Sequence, residues 1–492
     1  MNIFKFKKNK TVSEVKEIFT NNPNSVSDNI IDVFKYFLAS KKVQEFGKKK
    51  RKGISIVNIL LTLLLLGFEE VKSVRALILS GLYKITEGEK DVYYRFKNNP
   101  KINWRNLLYS INKRFLYLVK KYGSLDDSSK NKIKAFIIDD TVIRKSGERI
   151  EHIGKVFEHT INKFVLGYKM LQLAFWEGTS LLPLDFSFHS ERGKNKKRPF
   201  GLTLKKLRKR YSKKREVNTD GHKRELELFK SKIENMIYML KRAIKNGYYA
   251  NYVLVDKWFF CEKLINAVRK LKRGSIHIIS AVKMDKRKYL YNGKEYTAKE
   301  LIRKFRKNFK RSRYLHSHYI KVVVIYKGHK LSLFFNRSFH NKNWQLIATT
   351  DTQLSFSKLM MIYSIRWTIE VYFRDMKQYL GLGKSQSQDF DAQIADTTIS
   401  MIRYVMLSYV KRFQYYETIG GVFLRMKKFI VEYNVAEKIW FILCEVIKSI
   451  AELFEISLNE IMKKLFENPI FENTIFMLVS KNYIGNELIN NT

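Results

Sequence analysis

Three short stretches carry acids where acids are costly. FIIDDT (136–141) and NYVLVD (251–256) are apolar runs that end in aspartate, at Asp139–Asp140 and at Asp256. YSIRWTIEVYFRDMK (363–377) sets Glu370 among aromatic and branched residues, together with Tyr363, Arg366 and Lys377. A carboxylate at the end of a buried strand is expensive unless a cation or donor meets it. One such aspartate is most simply a helix cap. Two of them, with a glutamate on an amphipathic helix, form the oxygen-rich set that hard divalent cations take. Two Mg²⁺ ions held this way, with Mn²⁺ able to substitute, can activate a water or a 3′-hydroxyl and stabilise the leaving oxygen of a phosphodiester.

Taken as one helix, 363–377 places Tyr363, Arg366, Glu370 and Lys377 within an arc of about 60°. Ile362, Ile365, Ile369, Phe373, Met376 and Leu380 form an apolar stripe immediately beside it. The ionic side chains therefore border a packed surface, whereas a merely solvated face more often lies opposite the core. Taken alone, Arg366 and Glu370 would be an ordinary i,i+4 pair worth a few tenths of a kcal/mol. The two strand-end acids shift that reading toward a site, in which Arg366 and Lys377 offer charge to phosphate oxygens and Tyr363 a hydrogen bond or a stacking face. Side chains alternate along a strand, so only one of Asp139 and Asp140 faces the same way as Ile137. The residues alone leave that choice open, with Asp140 favoured. No His/Cys metal set, glycine-rich phosphate loop or Ser-His-Asp order stands out; His316 and His318 are expected at the surface.

The elements that must position these residues follow from texture. Strands with helical crossovers over 130–282 indicate an α/β core, a mixed sheet with flanking helices. Within it, 164–176 and 180–189 should form a hairpin and 222–244 a helix. Short alternating runs make 283–350 a β-rich insertion. The acid-bearing helix lies in a last core segment, 351–415. Residues 1–125 are expected as a helical DNA-binding region, in which Arg95, with Tyr93, Tyr94 and Lys97, sits on a DNA-reading helix. Residues 416–492 are expected as a helical region with a dimerisation surface.

Composition agrees with a polyanion partner. The 492 residues hold 94 Lys and Arg against 46 Asp and Glu, a formal charge of +48. An AT-rich coding bias accounts for part of the lysine; the remainder points to nucleic acid. Arg192–Arg215 has thirteen cations in twenty-four positions, among them Lys196, Lys197, Arg198, Arg208 and Arg210. RKFRKNFKRSR (303–313) contributes Arg303, Arg306 and Arg311, and Gly47–Lys52 is a third basic segment. Cys261 and Cys444 are too few for a disulfide framework or a zinc cluster. The longest apolar stretch, 55–68, is short of the ~20 residues that a membrane span needs. The start lacks a signal-peptide pattern. These features predict a cytoplasmic protein without a membrane partner.

The two aspartate motifs and the spacing Tyr363-x2-Arg366-x3-Glu370-x6-Lys377, followed by LGLGKSQSQ (380–388), resemble the DDE transposases of bacterial insertion sequences, in the branch with a Tyr-Arg-Glu-Lys signature. The resemblance implies an RNase H-like core, interrupted by a β-rich insertion between the second aspartate and the glutamate. It implies Asp140, Asp256 and Glu370 as ligands of two Mg²⁺, since the family's first aspartate precedes a threonine and Thr141 follows Asp140. Tyr363, Arg366 and Lys377 then grip the phosphate. The implied activity is cleavage of double-stranded DNA at terminal inverted repeats, then attack of the 3′-OH ends on target DNA by a nucleoid-associated homodimer on paired ends. Some members pass through a hairpin intermediate aided by a tryptophan in the insertion. Trp344 is the tryptophan there, although its place at the head of WQLIATT favours a core role. Trp258 and Trp367, near two of the acids, can equally pack the site. The alternatives are an RNase H-like nuclease without strand transfer and a domesticated DNA-binding protein; intact acids argue against the latter, and inverted repeats flanking the gene would decide.

Overall fold

Strand β1 (Ala135–Arg144) is the axis of the fold, because its first four residues are wholly buried and recruit neighbours on both edges. The computed structural model describes residues 28–40, 43, 53–68, 73–79, 88–122, 133–340, 343–413 and 417–471. The basic segment 47–52 lies outside them. The chain divides into two compact units, Phe96–Val405 and a second made of Met1–Arg95 with Met406–Thr492.

In the first unit, β1 pairs antiparallel with β3 (Lys163–Trp176) and parallel with β5 (Tyr252–Val255), which is parallel in turn to β6 (His277–Val282). The far edge of β3 is shared. β2 (Gly154–Glu158) pairs with its first residues and β4 (Leu181–His189) with the rest. The set β4-β3-β1-β5-β6, mixed and flanked by helices, is compatible with an RNase H-like transposase core. β4 is buried along its whole length, as a strand covered on both faces should be. Helices α5 (Trp104–Tyr122), α7 (Asp220–Glu227) and α8 (Lys232–Lys245) pack around it. The start of α8 is set by a capping box between Ser231 and Glu234.

Residues 283–350 continue the same sheet. The strands there are β7 (Lys288–Tyr291), β8 (Lys294–Thr297), β9 (Lys310–Ser312), β10 (Ser317–Tyr326), β11 (His329–Ser338) and β12 (Gln345–Thr349). β12 pairs antiparallel with β6, giving one twelve-stranded sheet among the described residues. Asn292 and Gly293 take positive φ between β7 and β8, as an Asn-Gly hairpin turn requires.

Two helices follow, α11 (Phe356–Ser364) and α12 (Trp367–Gln378). The expected single helix is thus interrupted at Ile365–Arg366. There the backbone bonds tighten to i→i−3, from Ile365 N to Ile362 O and from Arg366 N to Tyr363 O, while Thr368 Oγ1 donates to the Ile365 carbonyl. Both linking residues keep αR dihedrals, so the angular order of the side chains is largely preserved. The second unit contains the apolar helix Ile56–Leu65, buried as expected for 55–68. No described helix is long and apolar enough to cross a membrane.

Candidate active site

Neighbouring aspartates on β1 face opposite sides of the sheet, and the structure separates their partners. Asp139 Oδ2 lies 3.3 Å from Arg366 Nη1, and its charge interacts with that of Asp256. Asp140 turns to the other face, where Oδ2 meets Lys232 Nζ at 2.8 Å. The resemblance implied Asp140 beside Asp256 and Glu370; in the structure the aspartate on the Arg366 side of β1 is Asp139. The alternation rule required one of the two to face away, and the capped start of α8 delivers a lysine to the one that does.

Asp256 is half-buried just past the end of β5, and Ser280 Oγ donates to its carbonyl. Arg366, at the N-terminal boundary of α12, is buried and spans two acids, with Nη2 2.8 Å from Glu370 Oε1 while Nη1 reaches Asp139. Its guanidinium also lies over the Tyr363 and Trp367 rings. The Tyr363 hydroxyl accepts from Ala281 N at 3.1 Å, which fastens α11 to the end of β6. Burial raises this phenol and Arg366 opposes the rise. Lys377 donates to Thr141 Oγ1 at 2.7 Å, on the same face of β1 as Asp139. Burial lowers its ammonium, with the charge of Glu158 opposing. Asp139, Asp256, Tyr363, Arg366 and Glu370 thus come together, with Lys377 at the neighbouring Thr141.

Burial pushes Asp139 up to about 7, and the charges of Asp140 and Asp256 add to the effect while Arg366 offsets part of it. Burial is the larger part of this rise, and the neighbouring acids add to it. The donors are oxygens throughout, the chemistry that hard divalent cations favour. Arg366 Nε is buried without a hydrogen-bond partner. The residues present therefore fit a divalent cation.

A different acidic group is tighter. Among the described residues, the trio with ligand atoms mutually within 4.8 Å is Glu151, His152 and Glu225. Glu151 is already saturated, accepting from Arg215 at 2.9 and 2.6 Å and from the backbone N–H groups of Lys213 and Phe390. Lys213 and Arg215 also pair with Asp389 and Asp391, which ties the end of the basic segment to the start of α13 (Phe390–Phe413). This is an ion-pair hub that holds the fold.

The expected DNA-contacting cations divide the same way. Lys196, Lys197, Arg198 and Arg208 are exposed, as are Arg303, Arg306 and Arg311 beyond β8, the last stacked over Phe339. Arg210, also expected at DNA, is half-buried and donates to the Ile153 carbonyl at 2.7 Å. Arg95, on the helix Lys90–Lys97, is exposed with Nε on the Asp91 carbonyl; Tyr93 is buried and Lys97 is paired with Asp396. Trp344 is half-buried beneath Arg337. Trp258 and Trp367 are 59% and 60% exposed, the latter with its ring beneath the Arg366 guanidinium. Sequence reasoning missed β2 with Glu158, and it missed Lys232. The alternation in KVFE and KFVL around a four-residue turn was the available signal for β2; nothing local marked Lys232.

Asp139, where the parallel pairing of β1 with β5 stops, meets an arginine that also holds the glutamate of α12, and Asp256 follows the end of β5; this places a carboxylate-lined site where α/β sheets hold their ligands. Residues 130–406, more than half of the chain, match the family model of the transposase DDE domain, and the chain belongs to that family. A search of curated proteins finds no match. The family acts on DNA and generally uses divalent metal ions.

Proposed function

We propose that the chain is a cut-and-paste transposase that recognises the terminal inverted repeats of an insertion sequence, cleaves there and joins the 3′-OH ends to target DNA, working as a homodimer on paired ends. The reading is carried by one observation: Arg366 joins Asp139 to Glu370, and the charge of Asp256 acts on Asp139, inside the family-matched segment. These three acids would hold two Mg²⁺, or Mn²⁺ in substitution, which supply the activation of the attacking oxygen and the stabilisation of the leaving one. The chain's own residues orient and bind. Arg366 has donors to spare for a phosphate oxygen. Tyr363 keeps α11 seated on β6, so that Arg366 stays at the mouth of the site. Lys377, held by Thr141, adds positive charge on the same face. Lys196, Lys197, Arg198 and Arg208, together with Arg303, Arg306 and Arg311, track the DNA backbone. Asp140 is left to anchor α8 through Lys232.

The test is incubation of the purified chain with Mg²⁺ and a duplex carrying the repeat that flanks its gene. Nicks at the repeat boundary and products joined to a second duplex are expected. Glu370→Gln should bind the duplex without cutting it. Cleavage retained by Asp256→Ala would refute the assignment, and cleavage without joined products would leave a nuclease.

A further inference from the structure

The β2–β3 hairpin overhangs the site. β1 ends opposite Gly167, so Lys163–Leu166 run on past it with β2 at their side. Gly154 and Gly167 face each other at this point, and a Cβ at Gly167 would collide with the Ile143 carbonyl. A glycine inside a strand marks this kind of close backbone approach. Beyond it lies a four-residue turn, His159–Asn162, closed by Asn162 in the left-handed region at φ 51.

The turn is braced on both sides of the candidate site. At its base, Glu158 is held bidentately by Arg144 at 2.6 and 2.9 Å, and its charge acts on Lys377 at the end of α12. At its other side, the His159 ring stacks on Trp258 with centroids 5.6 Å apart, two positions after Asp256. What the turn presents outward is apolar: Ile161 is 42% exposed and Phe164 66%, with Phe157 packed behind Phe164 at 5.1 Å. Cations surround this tip. Lys163, which opens β3, and Lys257, beside Trp258, are exposed, and Lys283 Nζ stands over the Trp258 ring.

An apolar tip alone would suit a protein partner, but a tip set among lysines and braced against a phosphodiester site suits a polyanion with an apolar interior, which is duplex DNA. Proteins that deform DNA insert Phe or Ile between base steps, at an unstacking cost of a few kcal/mol per step. We propose that the β2–β3 turn is a wedge: Ile161 and Phe164 enter the duplex beside the scissile phosphate and part the base stack, while His159–Trp258 and Arg144–Glu158 keep the turn from yielding. This rests on the proposed DNA-cleaving role of the site.

Cleavage is measured for the wild type, Phe164→Ala and Ile161→Ala on two substrates with the flanking repeat, one fully paired and one with mismatches at the base steps beside the cut. Both side chains are exposed, so the variants should fold. Each variant should cut the paired duplex about tenfold more slowly, equivalent to ~1.4 kcal/mol. On the mismatched duplex, where the stack is already open, each should return to within about twofold of the wild type. An equal loss on both substrates overturns the wedge, as does wild-type cutting of both, which would assign the tip to a protein partner. A wild type that cuts neither substrate removes the DNA-cleaving role itself and is told apart by that result alone.

Discussion

Replacing Asp139 by asparagine should abolish activity and stabilise the metal-free protein. The unfolded chain titrates this carboxyl at its ordinary value of 3.8, whereas burial and neighbouring acids push the folded value to about 7. Between these values the folded state binds more protons than the unfolded one, so stability falls as pH rises and levels off above about 7. Three units at 1.36 kcal/mol each give a cost of roughly 4 kcal/mol at neutral pH. Asparagine keeps the shape and removes the charge, so Asp139→Asn should recover much of that energy and flatten the slope between about pH 4 and pH 7. Asp140→Asn should behave oppositely, losing a quarter-exposed pair with Lys232 worth ~1 kcal/mol. The assay is urea unfolding of the three proteins in chelator across this pH range, beside Mg²⁺-dependent cleavage, in which losing a ligand should cost ~10³ in rate or more. Cleavage lost in Asp140→Asn but kept in Asp139→Asn would refute the reasoning, as would an Asp139→Asn protein less stable than the wild type at neutral pH.

Asp185 has no exposed side chain, and although burial opposes its ionisation, Arg105, Arg242 and Arg224 hold it down to about 2. Asp185→Ala leaves these three guanidiniums to share Glu227 and should cost ~3–5 kcal/mol in urea unfolding. Burial, with the charge of Lys232 adding to it, holds His189 down to about 4 against an ordinary 6.5. The unfolded chain then takes up the proton first, so stability should fall as pH drops from about 6.5 to about 4, and His189→Gln should remove that portion of the slope. Arg198→Ala and Arg311→Ala, in exposed segments, should each reduce the salt dependence of duplex binding by a slope of about 1, whereas Arg210→Ala should act on stability and leave the slope unchanged.

The helix–sheet alternation and the acid after β5 were legible because each is local: a buried strand shows as a short apolar run, and a carboxylate marks where it stops, although β1 runs on through Asp139 and Asp140 to Arg144. The adjacency of Tyr363, Arg366 and Glu370 was equally readable from angular order, and it survived the turn at Ile365–Arg366. Which of Asp139 and Asp140 joins them was not. That depends on which face of β1 each helix covers, and therefore on Lys232, ninety-two positions away. The same limit explains the basic segment. Arg198 and Arg210 look alike in sequence, and only the Ile153 carbonyl above Arg210 distinguishes a structural cation from a free one.

The junction between β6 and β12 has a consequence for what can be removed. β6 is almost wholly buried, and its outer edge is closed by backbone bonds to Leu346–Thr349 at the end of 283–350. Excising 283–350 would bare that edge as a row of unpaired amides and carbonyls on an apolar strand, a template for intermolecular pairing. The segment is thus also the edge guard of the core, and a trimmed catalytic domain would need a substitute guard, such as charges or a proline on β6, to stay soluble.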